Sequence, residues 1–155
     1  MRVLAFDPGY ERLGVAVLEK NKKEALLHSD CVRTSAKLPF EERLALLGAA
    51  AEALIKRWHP DAVALEEVYF EKNAKTAMQV AQVRGVLAYL AAKAAVPLYQ
   101  YTPMQVKVAT TGHGGSDKRA VAAMLPRLVS IKAGKRLDDE MDAIAVGITC
   151  LASIR

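Results

Sequence analysis

The chain has 155 residues, 52% hydrophobic and 25% charged, a composition expected to fold as one domain over residues 1–155 and not as a disordered or fibrous protein. Its 22 basic against 17 acidic residues leave a formal charge of +5, which favours an anionic partner. Cys31 and Cys150 stand far apart with no second cysteine near either, and no apolar run is long enough to span a bilayer; zinc fingers, disulfide scaffolds and membrane attachment are therefore not expected, and a cytoplasmic location is.

The first element is an apolar strand, Val3-Leu4-Ala5-Phe6, that closes on Asp7-Pro8-Gly9. Pro8 fixes its own backbone and Gly9 permits a sharp turn, so Asp7 is expected at a stiff corner where a sheet ends. Turn chemistry alone accounts for an Asp before Pro-Gly, so the remaining carboxylates must decide its role. Leu13 to Leu18 forms the second strand, Asn21-Lys22-Lys23 a polar turn, and Glu24 to Arg33 a third segment, together an antiparallel meander.

Leu38-Pro39-Phe40 opens a helix with Leu44, Leu47, Ala51, Leu54, Ile55 and Trp58 at helical spacing; its acidic start and basic end suit the helix dipole, and His59-Pro60 stops it. Asp61 to Glu67 is a short strand that again ends in carboxylates, and a parallel strand added to the meander gives a mixed α/β sheet. Glu66 and Glu67 point to opposite faces if the strand continues through them, so at most one of them joins Asp7, and periodicity does not say which.

Tyr69-Phe70-Glu71-Lys72-Asn73 sets aromatics beside basic residues, a combination suited to bases and phosphates. The helix from about Asn73 to Ala95 carries apolar residues over more than one stripe, Val83 and Leu87 among them, which suggests a surface for a partner chain; Gly85 within it suggests close packing. Val96 to Tyr101 is the last strand, and Thr102-Pro103 begins a short helix through Lys107. The glycine-rich stretch from Thr110 to Lys118 lacks the Gly-Lys-Ser/Thr ending of a phosphate-binding P-loop; His113 lies in it, and Ser116 or Asp117 can cap the next helix. That helix runs from Lys118 to about Val129, with Pro126 expected to kink or end it.

The last helix begins Leu137-Asp138-Asp139-Glu140-Met141-Asp142. Acids at a helix start favour the dipole, yet Asp142 heads a strongly apolar stretch, and with Asp138 or Asp139 it projects two carboxylates from one face. Strand-end acids and a helix pair make an all-oxygen cluster suited to Mg²⁺ or Mn²⁺, and such a cluster can hold two ions for phosphodiester displacement. With four such acids set aside, 22 basic residues face 13 acidic ones, a formal +9 around a small acidic pocket.

Asp7-Pro8-Gly9 with Gly14, Leu65 to Phe70, Lys72-Asn73, Gln82 to Val86, Gln105 to Lys107, Gly115 to Lys118 and Asp139 to Ala143 together resemble, over nearly the whole chain, the RuvC family of bacterial Holliday-junction resolvases. The resemblance implies an RNase H-like α/β fold: a mixed five-stranded sheet, the antiparallel meander plus two parallel strands, flanked by helices. It implies Asp7, Glu66, Asp139 and Asp142 as ligands of two Mg²⁺ or Mn²⁺ ions, leaving Glu67 and Asp138 outside; the third position is Asp or His in the family. Lys107 and Lys118 fall on its basic active-site positions, and Tyr69 falls where an aromatic, more familiarly Phe, meets bases. Phe70, Lys72, Asn73, Lys75 and Arg84 complete the implied DNA contacts. The same resemblance implies a homodimer that nicks two opposed strands of a four-way DNA junction during recombination and repair, in partnership with RuvA and RuvB. The basic tail of some members is not expected beyond Arg155. Three alternatives share parts of this pattern: the RuvX-like (YqgF) nucleases of ribosomal RNA processing, which lack the loop at 69–73, a junction-binding protein without catalysis, and an actin-like nucleotide-binding module.

Overall fold

The structure, a computed structural model, describes residues 1–67, 74–131 and 134–154. Three strands open it: β1 (Arg2–Asp7), β2 (Arg12–Lys20) and β3 (Glu24–Arg33). After α1 (Phe40–Trp58) come β4 (Ala62–Glu66), α2 (Ala74–Lys93) and β5 (Leu98–Tyr101), then α3 (Pro103–Thr111), α4 (Lys118–Leu128) and α5 (Asp138–Ser153). The sheet order is β3-β2-β1-β4-β5, with the meander antiparallel and β4 and β5 parallel to β1 and to each other. This is the mixed five-stranded sheet expected, with β1 at its centre.

Side-chain alternation divides the sheet into two unlike faces. Leu4, Phe6, Leu13, Val15, Val17, Val63 and Leu65 pack against α1 and α2 through Leu47, Ala51, Val83 and Leu87. The opposite face is built from smaller residues, among them Val3, Ala5, Ala16, Ala62 and Ala64, and it receives α5 through Ala143, Ile144, Val146 and Cys150. Small side chains let α5 lie low on the strands. A Cβ placed on Gly147 of α5 would stand 2.2 Å from Leu18 Cδ1 and 3.3 Å from Ala5 Cβ, so a side chain at this crossing would force Leu18 to move.

The helix ends follow local chemistry. His59 closes α1 in the left-handed region at φ 44°, its N–H donating to Ile55 O at 3.0 Å. Thr102 and Gln105 form a reciprocal capping box at the start of α3, which runs to Thr111, one turn beyond the expected end at Lys107. Asp117 rather than Ser116 caps α4, its Oδ1 accepting from Ala120 N at 2.8 Å. Pro126 falls in the last turn of α4, which ends two residues later at Leu128.

Two expectations for α2 are corrected. Val83 and Leu87, each 1% exposed, belong to the core under the sheet, so they are not on a surface open to a partner. Gly85 is exposed, and a Cβ there would meet nothing within 4 Å; the residue is not a point of close packing within the chain. The outward side of α2 instead carries Met78, Gln82, Gly85 and Tyr89, spaced three and four apart, with Met78 59% and Tyr89 63% exposed. Among the described residues, no helix is long and apolar enough to cross a membrane.

Candidate active site

Asp7 ends the central strand, and the β1–β4 register of Phe6 with Leu65 sets it beside Glu66 at the next step. Both residues share the parity of Ala5 and Ala64, so both carboxylates belong to the α5 side of the sheet. Glu67 lies past the end of β4, its N–H donating to Tyr101 O at 2.8 Å. Alternation therefore selects Glu66 over Glu67.

Across from them, Asp139 and Asp142 lie one turn apart at the start of α5. Burial pushes the Asp7 carboxyl up to about 7, and the negative charges of Asp142, Glu66 and Asp139 push in the same direction, partly offset by Lys118. Glu66 is raised as well, first by burial and then by Asp142, while Lys118 and Lys107 oppose the rise. Four acids and two lysines thus share one electrostatic field. Glu66, Lys107, Lys118 and Asp142 line a cavity of about 340 Å³, floored by Val106, Val121 and Ala145. His113 is exposed in the turn after α3 and does not line this cavity.

Cations engage two of the acids. Lys118 Nζ donates to Asp142 Oδ2 at 2.7 Å, and this bond raises the lysine's pKa. On the far side of the cluster, Arg12 Nη1 stands 3.6 Å from Asp139 Oδ2, and Cys31 Sγ stands 4.0 Å from the same oxygen. Burial, followed by the charge of Asp139, raises the Cys31 thiol above its ordinary range. Arg12 and Cys31 were not singled out by sequence reasoning; the β2–β3 register brings Arg12 opposite Arg33 and Gly14 opposite Cys31, and no local pattern announces that α5 crosses there.

The start of α5 is fixed by further contacts. Glu140 Oε1 accepts from Leu137 N at 3.2 Å while its Oε2 accepts from Ser29 Oγ at 2.8 Å, and Arg136 Nε donates to Ser29 Oγ at 3.1 Å. Gly14 provides the clearance, since a Cβ there would stand 2.0 Å from Asp139 O and 3.2 Å from Asp7 Cβ.

Among the described residues, no three Asp, Glu, His or Cys side chains converge tightly enough to form a ready-made ligand set. The donor chemistry nevertheless fits a divalent cation. All four groups are carboxylates, Asp7 is buried against like charge, and the Lys118 ammonium already occupies one carboxylate of the group as a positive charge. Of the other implied contacts, Lys75 lies in the first turn of α2, and Arg84 Nη2 donates to Gln100 Oε1 on β5. Tyr69, Phe70, Lys72 and Asn73 lie outside the described residues.

A mixed sheet whose central strand and its parallel neighbour each end in a carboxylate, faced by a helix carrying two more, defines an RNase H-like nuclease. The family model described as "Crossover junction endodeoxyribonuclease RuvC" matches residues 3–150. A Roseiflexus RuvC is 43% identical over 149 residues, covering 95% of this chain and 88% of the relative. A Leifsonia xyli RuvC is 39% identical over 150 residues, covering 96% and 72%. The solved structure of T. thermophilus RuvC in complex with Holliday junction substrate superposes with a TM-score of 0.89 at 36% identity, covering 96% of this chain and 92% of that one. The chain belongs to the RuvC family of crossover junction endodeoxyribonucleases. That membership replaces the RuvX-like and actin-like alternatives.

Proposed function

We propose that this protein resolves four-way DNA junctions in recombination and repair, nicking two opposed strands by metal-dependent phosphodiester hydrolysis. The observation that carries the reading is the meeting of Asp7 with Glu66, Asp139 and Asp142 at the end of the sheet, where burial first and the charges of the other three acids after it raise Asp7 to about 7. Asp7, Glu66, Asp139 and Asp142 would hold the metal, two ions of Mg²⁺ or Mn²⁺ per site. When bound, such ions activate water and neutralise charge on the phosphodiester.

The chain's own residues do the rest. Asp7 and Glu66 are held by the strand ladder, so two oxygen donors are placed without cost in loop entropy. Lys107 and Lys118 present ammonium groups to the cavity where a scissile phosphate would develop charge, and Asp142 orients Lys118 through the 2.7 Å bond. Tyr69, Phe70, Lys72 and Asn73, with Lys75 and Arg84, would meet bases and backbone beyond the cut. The outward side of α2 would pair with its copy in a homodimer, setting two acidic clusters for symmetric incision. Delivery of the junction by RuvA and RuvB belongs to the same reading, as does a cytoplasmic location.

The test is to offer a mobile four-way junction, a linear duplex and a ribosomal RNA precursor in Mg²⁺ to the parent protein and to Asp7→Asn. Paired nicks in the junction alone, with ligatable 5′-phosphate and 3′-hydroxyl ends, are expected, and Asp7→Asn should bind the junction without cutting. Equal cutting of duplex or RNA would overturn the substrate; binding without cutting by the parent would make it a junction-binding protein.

A further inference from the structure

The two carboxylates of α5 are held from opposite sides. Lys118 reaches Asp142 from the start of α4, as described above, whereas Arg12 reaches Asp139 from the first residue of β2. The Arg12 side chain is 58% exposed and Asp139 25%, so a largely solvated guanidinium reaches a largely buried carboxylate. A cavity of about 320 Å³, lined by Gly9, Tyr10, Glu11, Arg12, Val80 and Asp139 among others, lies on this side and gives the guanidinium space to swing away. Asp139 also contributes to the field that raises Asp7, so it is within electrostatic reach of the cluster while its Oδ2 is engaged elsewhere.

We infer that Arg12 is a positioning residue for metal uptake: it pairs with Asp139 Oδ2 and competes with the divalent cation for that carboxylate. The inference rests on Asp139 being a metal ligand, as proposed above. Arg12 touches none of the other three acids in the contacts given by the structure, so its effect should pass through Asp139. An exposed pair of this kind is weak, which suits a group that must yield to a divalent ion when one arrives. Removing the guanidinium should therefore tighten metal binding. A guanidinium that acted only through the general field of a basic surface would have the same effect whether or not Asp139 carried charge.

Calorimetric titration with Mn²⁺ of the parent, Arg12→Gln, Asp139→Asn and the double variant separates these cases, with thermal melts confirming that all four are folded. Asp139→Asn should weaken Mn²⁺ binding. Arg12→Gln should tighten it by about two- to fivefold, and the gain should vanish in the Asp139→Asn background. Arg12→Lys, which keeps the charge, should stay close to the parent. An equal gain in both backgrounds, no gain, or weaker binding on removing Arg12 would overturn the role given to Arg12 while leaving Asp139 a ligand. If Asp139→Asn leaves Mn²⁺ affinity unchanged, the ligand assignment itself fails and takes this inference with it.

Discussion

Lys118, the first residue of α4, donates to Asp142 Oδ2 at 2.7 Å and so ties the glycine-rich loop before it to the opening turn of α5. A lysine in that place has two consequences. It neutralises one member of the acid cluster, and it lowers the burden of charge on Asp7.

Lys118→Ala should therefore reduce turnover more than junction affinity, by about a hundredfold in turnover if the ammonium meets charge developing on the phosphate. Lys107→Ala should act in the same direction. Single-turnover cleavage and junction binding, measured side by side across a range of salt, check this; equal losses in both, restored at low salt, would reduce the two lysines to backbone contacts.

Asp7 has a folded-state pKa of about 7 against an ordinary 3.8, so the metal-free fold holds a proton that the unfolded chain has released between those values. The sign follows: stability contributed by protonated Asp7 is present at low pH and is lost as pH rises through about 4 to 7. Asp7→Asn should raise the stability of the metal-free protein by up to about 4 kcal/mol at pH 8 while abolishing cleavage, and should change little at pH 4. Denaturant melts in chelator at both pH values measure it. The parent's metal affinity should climb over the same window, since uptake must displace the proton.

Gly14→Ala should cost about 1–3 kcal/mol, because the added Cβ would stand 2.0 Å from Asp139 O, a distance no real contact tolerates, and tightly against Asp7 Cβ at 3.2 Å. Cleavage should fall further than stability, since the start of α5 must shift to make room. Melting and cleavage assays at a temperature where the variant remains folded separate the two effects.

On α2, Val83→Asp and Leu87→Asp should unfold the protein, since each places a charge in the core. Met78→Glu and Tyr89→Glu should instead leave the fold and metal affinity intact and shift the protein toward monomer. Sedimentation velocity at micromolar concentration reads the outcome; a parent that is monomeric both alone and on a junction, yet still makes paired nicks, would remove the dimer from the mechanism.

Much of this arrangement is legible in the chain. The meander, the two strands that end in acids, and Asp142 at the head of an apolar helix each announce themselves through local pattern. Periodicity leaves Glu66 and Glu67 open, and the β1–β4 register decides: Ala62 and Ala64 share with Ala5 the face on which α5 sits closely, and Glu66 follows in that parity. What local pattern does not carry is the crossing of α5 over the β2–β3 pair. Arg12, Ser29 and Cys31 come to the acids only through that crossing, from more than a hundred residues away in sequence. The breadth of apolar residues on α2 exceeds one stripe, but which of them face outward depends on the angle at which the helix meets the sheet. Val83 and Leu87 are core for that reason, and Met78 and Tyr89 are outward.

The low face of the sheet acts as a gauge block. Ala5, Ala16 and Ala64 beneath α5, with Gly147 above, fix how far that helix stands from β1, and hence the gap between the acids of β1 and β4 and those of α5. A methyl group more or less in this layer resets a distance that metal chemistry tolerates only narrowly. Interior variants at these alanines should therefore read out as changes in metal preference before they read out as loss of fold, whereas equal changes in volume on the α1 and α2 side should do the opposite.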